Sequence, residues 1–199
     1  FRGRKPLIHI VLDGWGIAPK SAGNAIELAK LPTIDYLFGN LPSTQLWTHG
    51  NHVGLPNRND LGGSEVGHFT MGAGRVLEQG SSLISKSLKT EEFFENINFQ
   101  KIIKNCLQKK VPLHLVGLLS DGNVHSHIDH FIAIIKEASK RGVKNCFVHS
   151  LLDGRDVGIQ SSIEYVDTIE KLFYEINSHN PSYNYSFASG GGRESITMD

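Results

Sequence analysis

Leu113-His114-Leu115-Val116-Gly117-Leu118-Leu119 is the stretch that decides how this chain folds. It is a short apolar run set off by Pro112 on one side and by the polar turn Ser120-Asp121-Gly122-Asn123 on the other, so it reads as a buried strand. Before it, from Phe99 on, Ile102, Ile103, Cys106 and Leu107 recur at helical spacing until Pro112 breaks the pattern, which places Cys106 in a packed stripe. After it, Ile128 to Arg141 continues as a helix that Gly142 stops. Cys146-Phe147-Val148-His149-Ser150-Leu151-Leu152 is the next strand and runs into Asp153-Gly154-Arg155-Asp156. Ser161 or Ser162 caps a further helix, with Ile163, Val166, Ile169, Leu172, Phe173 and Ile176 on its inner face. Tyr183 to Ala188 then leads into Gly190-Gly191-Gly192-Arg193. Strands alternating with helices define an α/β fold with a mainly parallel sheet, whose loops at the strand C-termini converge on one crevice.

His125, Arg155, Asp156 and Arg193 stand on those loops and are expected to face one another. Arginine forks bind phosphate or carboxylate bidentately, a histidine can donate to an oxyanion, and a carboxylate can take a hydroxyl proton. The set therefore suits a phosphorylated, carboxylated substrate. Each residue alone reads first as a solvated loop charge or a turn aspartate; four of them on three successive strand ends reverse that balance in favour of a site. His125, His127 and His130 invite a zinc reading, but no cysteine or carboxylate stands at zinc-site spacing from them. His127 and His130 are read as helix-start or packing residues.

Two stretches nearer the N-terminus carry different chemistry. Leu7-Ile8-His9-Ile10-Val11-Leu12 reads as a buried strand ending in the turn Asp13-Gly14-Trp15-Gly16, which puts Asp13 at a strand's C-terminal end as either a metal ligand or a turn cap. Leu61-Gly62-Gly63-Ser64-Glu65-Val66-Gly67-His68 sets Ser64 between a two-glycine turn and the opening of a helix, where N–H groups and the helix dipole favour negative charge. Ser64 is thus a candidate nucleophile, or else an ordinary N-cap. His68 falls near it, as base or as hydrogen-bond partner. Pro32 to Phe38 reads as a helix and Gln45 to Thr48 as a short strand. Gly72-Ala73-Gly74-Arg75 lacks the preceding strand and the third glycine of a dinucleotide fingerprint, and reads as a tight turn.

Lysine plus arginine and aspartate plus glutamate both number 20, so the net charge is zero. Nucleic-acid binding would call for a basic excess. No apolar run approaches the roughly 18 residues of a membrane span, and Phe1-Arg2-Gly3-Arg4-Lys5-Pro6 is not followed by a signal peptide's apolar segment, so neither a nucleic acid nor a membrane is expected as partner. Cys106 and Cys146 have no paired spacing, which suits a reducing cytosol.

Val11-Leu12-Asp13-Gly14-Trp15-Gly16, Gly23-Asn24-Ala25-Ile26, Val53-Gly54-Leu55-Pro56, Ser64-Glu65-Val66-Gly67-His68, Gly72-Ala73-Gly74-Arg75, Ser120 to His127 and Asp153-Gly154-Arg155-Asp156 follow one another in a recognisable order. In that order the chain resembles the cofactor-independent phosphoglycerate mutases of the alkaline phosphatase superfamily. The form Gly190-Gly191-Gly192-Arg193 with Thr197-Met198-Asp199 is similar to the plant-like, eukaryotic branch. The resemblance implies a first segment, residues 1–77, of a metal-binding phosphatase-like domain, followed by part of an inserted phosphotransferase domain, residues 78–199. It implies interconversion of 3-phosphoglycerate and 2-phosphoglycerate, in a cytosolic monomer and without bisphosphoglycerate. Ser64 would be the phosphoryl acceptor, and Asp13 and Ser64 would be ligands of two divalent ions, manganese first and otherwise magnesium, cobalt or zinc. His125, Arg155, Asp156 and Arg193 would bind phosphoglycerate, with Asp156 also placed for proton transfer. Family members are much longer, so the remaining metal ligands are expected beyond Asp199 and the 199 residues alone are expected to be inactive. Gly63 departs from the pattern, which has asparagine there. A metal-dependent phosphohydrolase of the same superfamily and a non-catalytic substrate-binding fragment remain the alternative readings.

Overall fold

In the computed structural model, Gly3 and residues 5–196 are described, and the chain divides into two units, one ending at Leu46 and one beginning at Trp47. In the first unit, α1 (Ala25–Leu28) is capped by Asn24, whose side chain accepts from the Glu27 N–H. The second helix, α2 (Pro32–Asn40), begins at the proline, where the missing N–H costs nothing, and runs slightly beyond the expected end. Leu7 to Leu12, however, is not a strand: the run lies outside regular secondary structure and is exposed, Leu7 at 93% and Ile8 at 79%. Gln45 to Thr48 is not a strand either. Strand geometry is held by neighbours that take its N–H and C=O groups and cover its side chains, and among the described residues no strand pairs with either run.

The second unit opens with a 3₁₀ turn (Gly50–Val53) and α3 (Ser64–Ala73), followed by α4 (Gly80–Lys89), α5 (Glu92–Glu95) and α6 (Ile97–Lys109). Gly72 and Ala73 belong to α3, and the expected tight turn is the C-cap of that helix: Gly74, at φ 64°, sends its N–H back to Thr70 and Met71. There follow β1 (Leu113–Leu119), α7 (Ile128–Lys140), β2 (Asn145–Leu152), α8 (Ser162–His179), β3 (Asn184–Gly192) and α9 (Arg193–Ile196). The three strands form one parallel sheet in the order β1-β2-β3. Leu113 pairs with Cys146 and Leu119 with Leu152; β2 and β3 slip register between Val148 and His149, which carries the three glycines of β3 alongside Ser150 to Leu152.

One face of this sheet packs on the helices. Leu113, Leu119, Cys146, Val148 and Tyr185 meet Ile103 and Cys106 of α6, Phe131, Ile135 and Ala138 of α7, and Ile169, Leu172, Phe173 and Ile176 of α8. Gly117 permits this approach, since a Cβ there would stand 2.7 Å from the Phe131 ring. The strand expected to be buried is covered unevenly on its other face: His114 and Val116 are exposed there among the described residues, while Leu118, on the same face nearer the C-terminal end, is buried. Ile163, expected on the inner face of α8, is likewise exposed, because it lies in the first turn, before the helix reaches the core. Both cysteines are free and buried, and burial, with the Cys106 thiol nearby, pushes the Cys146 thiol up to about 12. Along β3, the Tyr185 N–H and C=O are both bound by the side-chain amide of Asn177 on α8, at 3.0 Å each. No helix among the described residues is long and apolar enough to cross a membrane.

Candidate active site

The C-terminal ends of the three strands gather the charged loops. Ser120 follows β1 directly; its carbonyl accepts from Ile128 N–H at 2.7 Å and its hydroxyl from Gly122 N–H at 3.1 Å, which folds the loop back on itself. Gly122 touches the loop after β2 so closely that a Cβ there would stand 2.9 Å from the Asp156 carbonyl oxygen. His127 caps α7 by accepting from Asp129 N–H, and His130 bonds Ser85 of α4 at 2.9 Å. These are the helix-start and packing roles read from the sequence. Burial and the neighbouring His127 hold His130 below the usual histidine range.

Asp153 is the residue the sequence reading passed over. One carboxylate oxygen, Oδ1, accepts from the N–H groups of Gly154, Arg155 and Asp156 at 2.8, 3.0 and 3.1 Å and from Arg193 Nη1 at 2.9 Å. Its side chain is fully buried, and burial would raise its carboxyl; the Ser120 hydroxyl and the three backbone N–H groups outweigh that and hold it below the usual carboxylate range. Apart from its place before the Gly154-Arg155-Asp156 turn, no local signal marked it. Of the two serines expected to cap α8, Ser161 occupies the cap position, without a side-chain cap bond, and Ser162 fastens the loop, its hydroxyl donating to the Asp153 carbonyl at 3.1 Å.

Around this anchor three of the four expected residues come together. Arg193 Nη1 lies 2.8 Å from Asp156 Oδ2, and His125 Nε2 lies 3.8 Å from the same oxygen. Arg193 is 8% exposed, and its bonds to Asp156 and Asp153 hold its guanidinium even further above neutrality than usual. Arg155 is held through its backbone, and its side chain is exposed at the tip of the same turn. The arrangement presents a buried cation beside two carboxylates, with a histidine and a second arginine at the rim.

Ser64 is the first residue of α3, and the N-cap is Gly63, so the ordinary capping role falls to the glycine. Ser64 Oγ lies 3.1 Å from His68 Nδ1, which also lies 2.7 Å from the Ser64 carbonyl oxygen. A carbonyl only accepts, so the bond to the Ser64 carbonyl assigns the hydrogen to Nδ1, and in that tautomer His68 fastens the first turn of α3. Asp13 belongs to the first unit, where Trp15 N–H closes on the Leu12 carbonyl and Gly14 adopts φ 77°, a turn with Asp13 within it. The carboxylate and the hydroxyl are oxygen donors of the kind hard divalent ions accept. Among the described residues no three or more His, Cys, Asp or Glu side chains gather into a set that could hold a metal ion.

The C-terminal edge of this parallel sheet, where open α/β sheets bind ligands, thus gathers arginine, histidine and carboxylate side chains. The family profile described as "BPG-independent PGAM N-terminus" matches residues 84–199. Over 201 aligned residues, covering all of this chain and 36% of its own length, a probable 2,3-bisphosphoglycerate-independent phosphoglycerate mutase of Leptospira interrogans is 42% identical. The Clostridium beijerinckii 2,3-bisphosphoglycerate-independent phosphoglycerate mutase is 44% identical over 87% of the chain and 34% of its own length. A crystal structure of Leishmania mexicana phosphoglycerate mutase at low cobalt concentration superposes with a TM-score of 0.87 at 38% identity, over 95% of this chain and 34% of that one. The chain belongs to the 2,3-bisphosphoglycerate-independent phosphoglycerate mutase family, and it spans about a third of the length of the relatives it matches.

Proposed function

We propose that this chain is part of an enzyme that interconverts 3-phosphoglycerate and 2-phosphoglycerate through a phosphoserine at Ser64. The observation that carries the reading is the convergence of Asp156, Arg193 and His125 at one sheet edge, with Asp156 within reach of both partners. Family membership supports the substrate class. In this reading the arginine forks of Arg155 and Arg193 and the His125 imidazole hold the phosphate and carboxylate of the glycerate. Ser64 Oγ attacks phosphorus as its alkoxide, the form it returns to when it is freed, the bond from phosphorus to the substrate oxygen breaks, and the oxygen left behind takes a proton. The other hydroxyl of the retained glycerate then loses its proton and attacks the phosphoserine, which frees Ser64. Asp156, kept in place by Arg193, carries the proton between the two hydroxyls.

Asp13 and Ser64 would contribute to holding divalent metal, manganese in the first instance, which offsets phosphate charge and lowers the pKa of a hydroxyl. Residues up to 77 and from 78 on are assigned to the metal-binding and phosphotransferase parts respectively, and a cytosolic monomer accords with the free, buried cysteines. The test is made in the complete enzyme carrying this chain. Intact mass after brief exposure to 3-phosphoglycerate should show one added phosphoryl group, located at Ser64 by peptide mapping, and Ser64→Ala should lose both the adduct and at least about a thousandfold in turnover while keeping its melting temperature. Retention of a tenth of the activity rejects the assignment. Release of inorganic phosphate in place of 2-phosphoglycerate would favour a phosphohydrolase.

A further inference from the structure

Asp60 and Asn123 are 63 residues apart in sequence, yet Asn123 Nδ2 donates to Asp60 Oδ2 at 2.7 Å. Both ends are built to hold that bond. Asp60 is fixed by the Asn57 N–H, which donates to Oδ2 at 2.9 Å, and by the Asn57 side-chain amide at 3.2 Å from Oδ1; its carbonyl accepts from Gly50 N–H at 2.9 Å. Asn123 is 3% exposed and sits at φ 60°, a left-handed position that asparagine tolerates better than most residues. With Nδ2 committed to the carboxylate, its buried Oδ1 has no partner among the described residues, and turning the amide over would set that oxygen against Asp60.

The two residues lead directly into the reacting groups. Ser64 follows Asp60 by four residues, so chain length alone keeps them within about 14 Å; His125 follows Asn123 by two, within about 7 Å. A second fastening, from Gln79 and Ser82 to the backbone of Val53 and Gly54, ties the same segment to α4 but lies farther along the chain from Ser64. We infer that the Asp60–Asn123 hydrogen bond is a positioning strut, which sets the separation between the nucleophile turn at Ser64 and the substrate-holding loop at His125. The inference rests on the phosphoserine reading above, because it gives Ser64 and His125 parts in one reaction. It predicts that loss of the strut misplaces the nucleophile relative to bound substrate while leaving the Asp156–Arg193 anchor intact.

The test uses the complete enzyme, with kcat, KM for 3-phosphoglycerate and melting temperature measured for Asn123→Gly, Asn123→Asp, Asp60→Ala and the double variant D60A/N123G. Glycine accepts the left-handed backbone at 123, so Asn123→Gly removes the strut without adding backbone strain. Misplacing a reacting group by about an ångström costs up to about a hundredfold in rate. Asn123→Gly should therefore lose roughly tenfold in kcat with KM changed by less than about twofold, and D60A/N123G should be no slower than the worse single variant. Asn123→Asp, which faces one carboxylate with another, should lose more than Asn123→Gly, a comparison that holds even if Asp60→Ala fails to fold. Wild-type kcat in Asn123→Gly, with a lowered melting temperature alone, overturns the strut, as does a rise in KM with kcat unchanged. If the wild-type enzyme proves to have no mutase activity, the function proposed above fails on its own. Hydrogen exchange over residues 57–64 then judges the strut: faster exchange in Asn123→Gly supports it, and unchanged exchange removes it.

Discussion

Two stretches of this molecule have nearly the same design and opposite fates. Leu7 to Leu12 and Cys146 to Leu152 are both short apolar runs that end in Asp-Gly, at Asp13-Gly14 and Asp153-Gly154. The second is a central strand with Cys146 and Val148 fully buried and Asp153 sealed beneath its loop. The first is exposed and pairs with no strand among the described residues, with its aspartate in a turn. Both runs are apolar with a single histidine, and the first is the richer in β-branched residues, so the difference comes from neighbours: β2 has a strand on each side and three helices over one face. A strand is a property of a sheet before it is a property of a run.

The sharpest way to break this comparison is at the two aspartates. Asp153→Ala leaves Arg193 buried with one counter-charge fewer and frees three loop N–H groups, so it should destabilise the chain by about 3 to 5 kcal/mol in urea unfolding. Asp13→Ala, at an exposed position, should cost clearly less than Asp153→Ala. Equal effects would mean that the first run is packed after all. The same contrast holds one layer down. Val148→Ala opens a void in the core and should cost about 2 to 3 kcal/mol, against less than about 0.5 for Ile10→Ala.

Acid sharpens the comparison further. Asp153 is held below its unfolded value of about 3.9, so the unfolded chain takes up its proton first as the pH falls; its contribution is fully present above that value and is lost progressively below it. Between about pH 5 and 2 the melting temperature should fall more steeply for the wild type than for Asp153→Asn. Parallel curves would show that the loop does not depend on that charge. The smallest effect is expected at the cap of α3. Gly63 has extended backbone, φ −82°, and open space where a Cβ would stand, so Gly63→Asn should fit and stabilise by a few tenths of a kcal/mol, read as a slightly higher melting temperature. A loss instead would mean that the bare glycine is needed there.

Most of the α/β part was legible because its signals are local. Pro112, Gly142 and the polar turns bracket β1, α7 and β2 within a residue or so, and the loops at their ends delivered His125, Asp156 and Arg193 to one place. What escaped depended on distance. Asp153 looks like any turn aspartate until Arg193, 40 residues on, is seen against it, and Asp60 and Asn123 carry no common pattern at all. Leu7 to Leu12 failed for the converse reason: its local signal is strong, and no periodicity records whether a partner strand is at hand. Of the two readings open for Ser64, the N-cap falls instead to Gly63, since glycine and serine compete for that position and only the backbone angles separate them.

The amide of Asn177 against Tyr185 has a consequence for how this sheet behaves in concentrated solution. By offering one donor and one acceptor to the side of β3 that faces no strand among the described residues, it imitates the backbone of an adjoining strand and occupies the hydrogen-bonding site that a foreign chain would use to start extending the sheet there. The rim of β3 is thereby blunted against aggregation at Tyr185 by a single side chain.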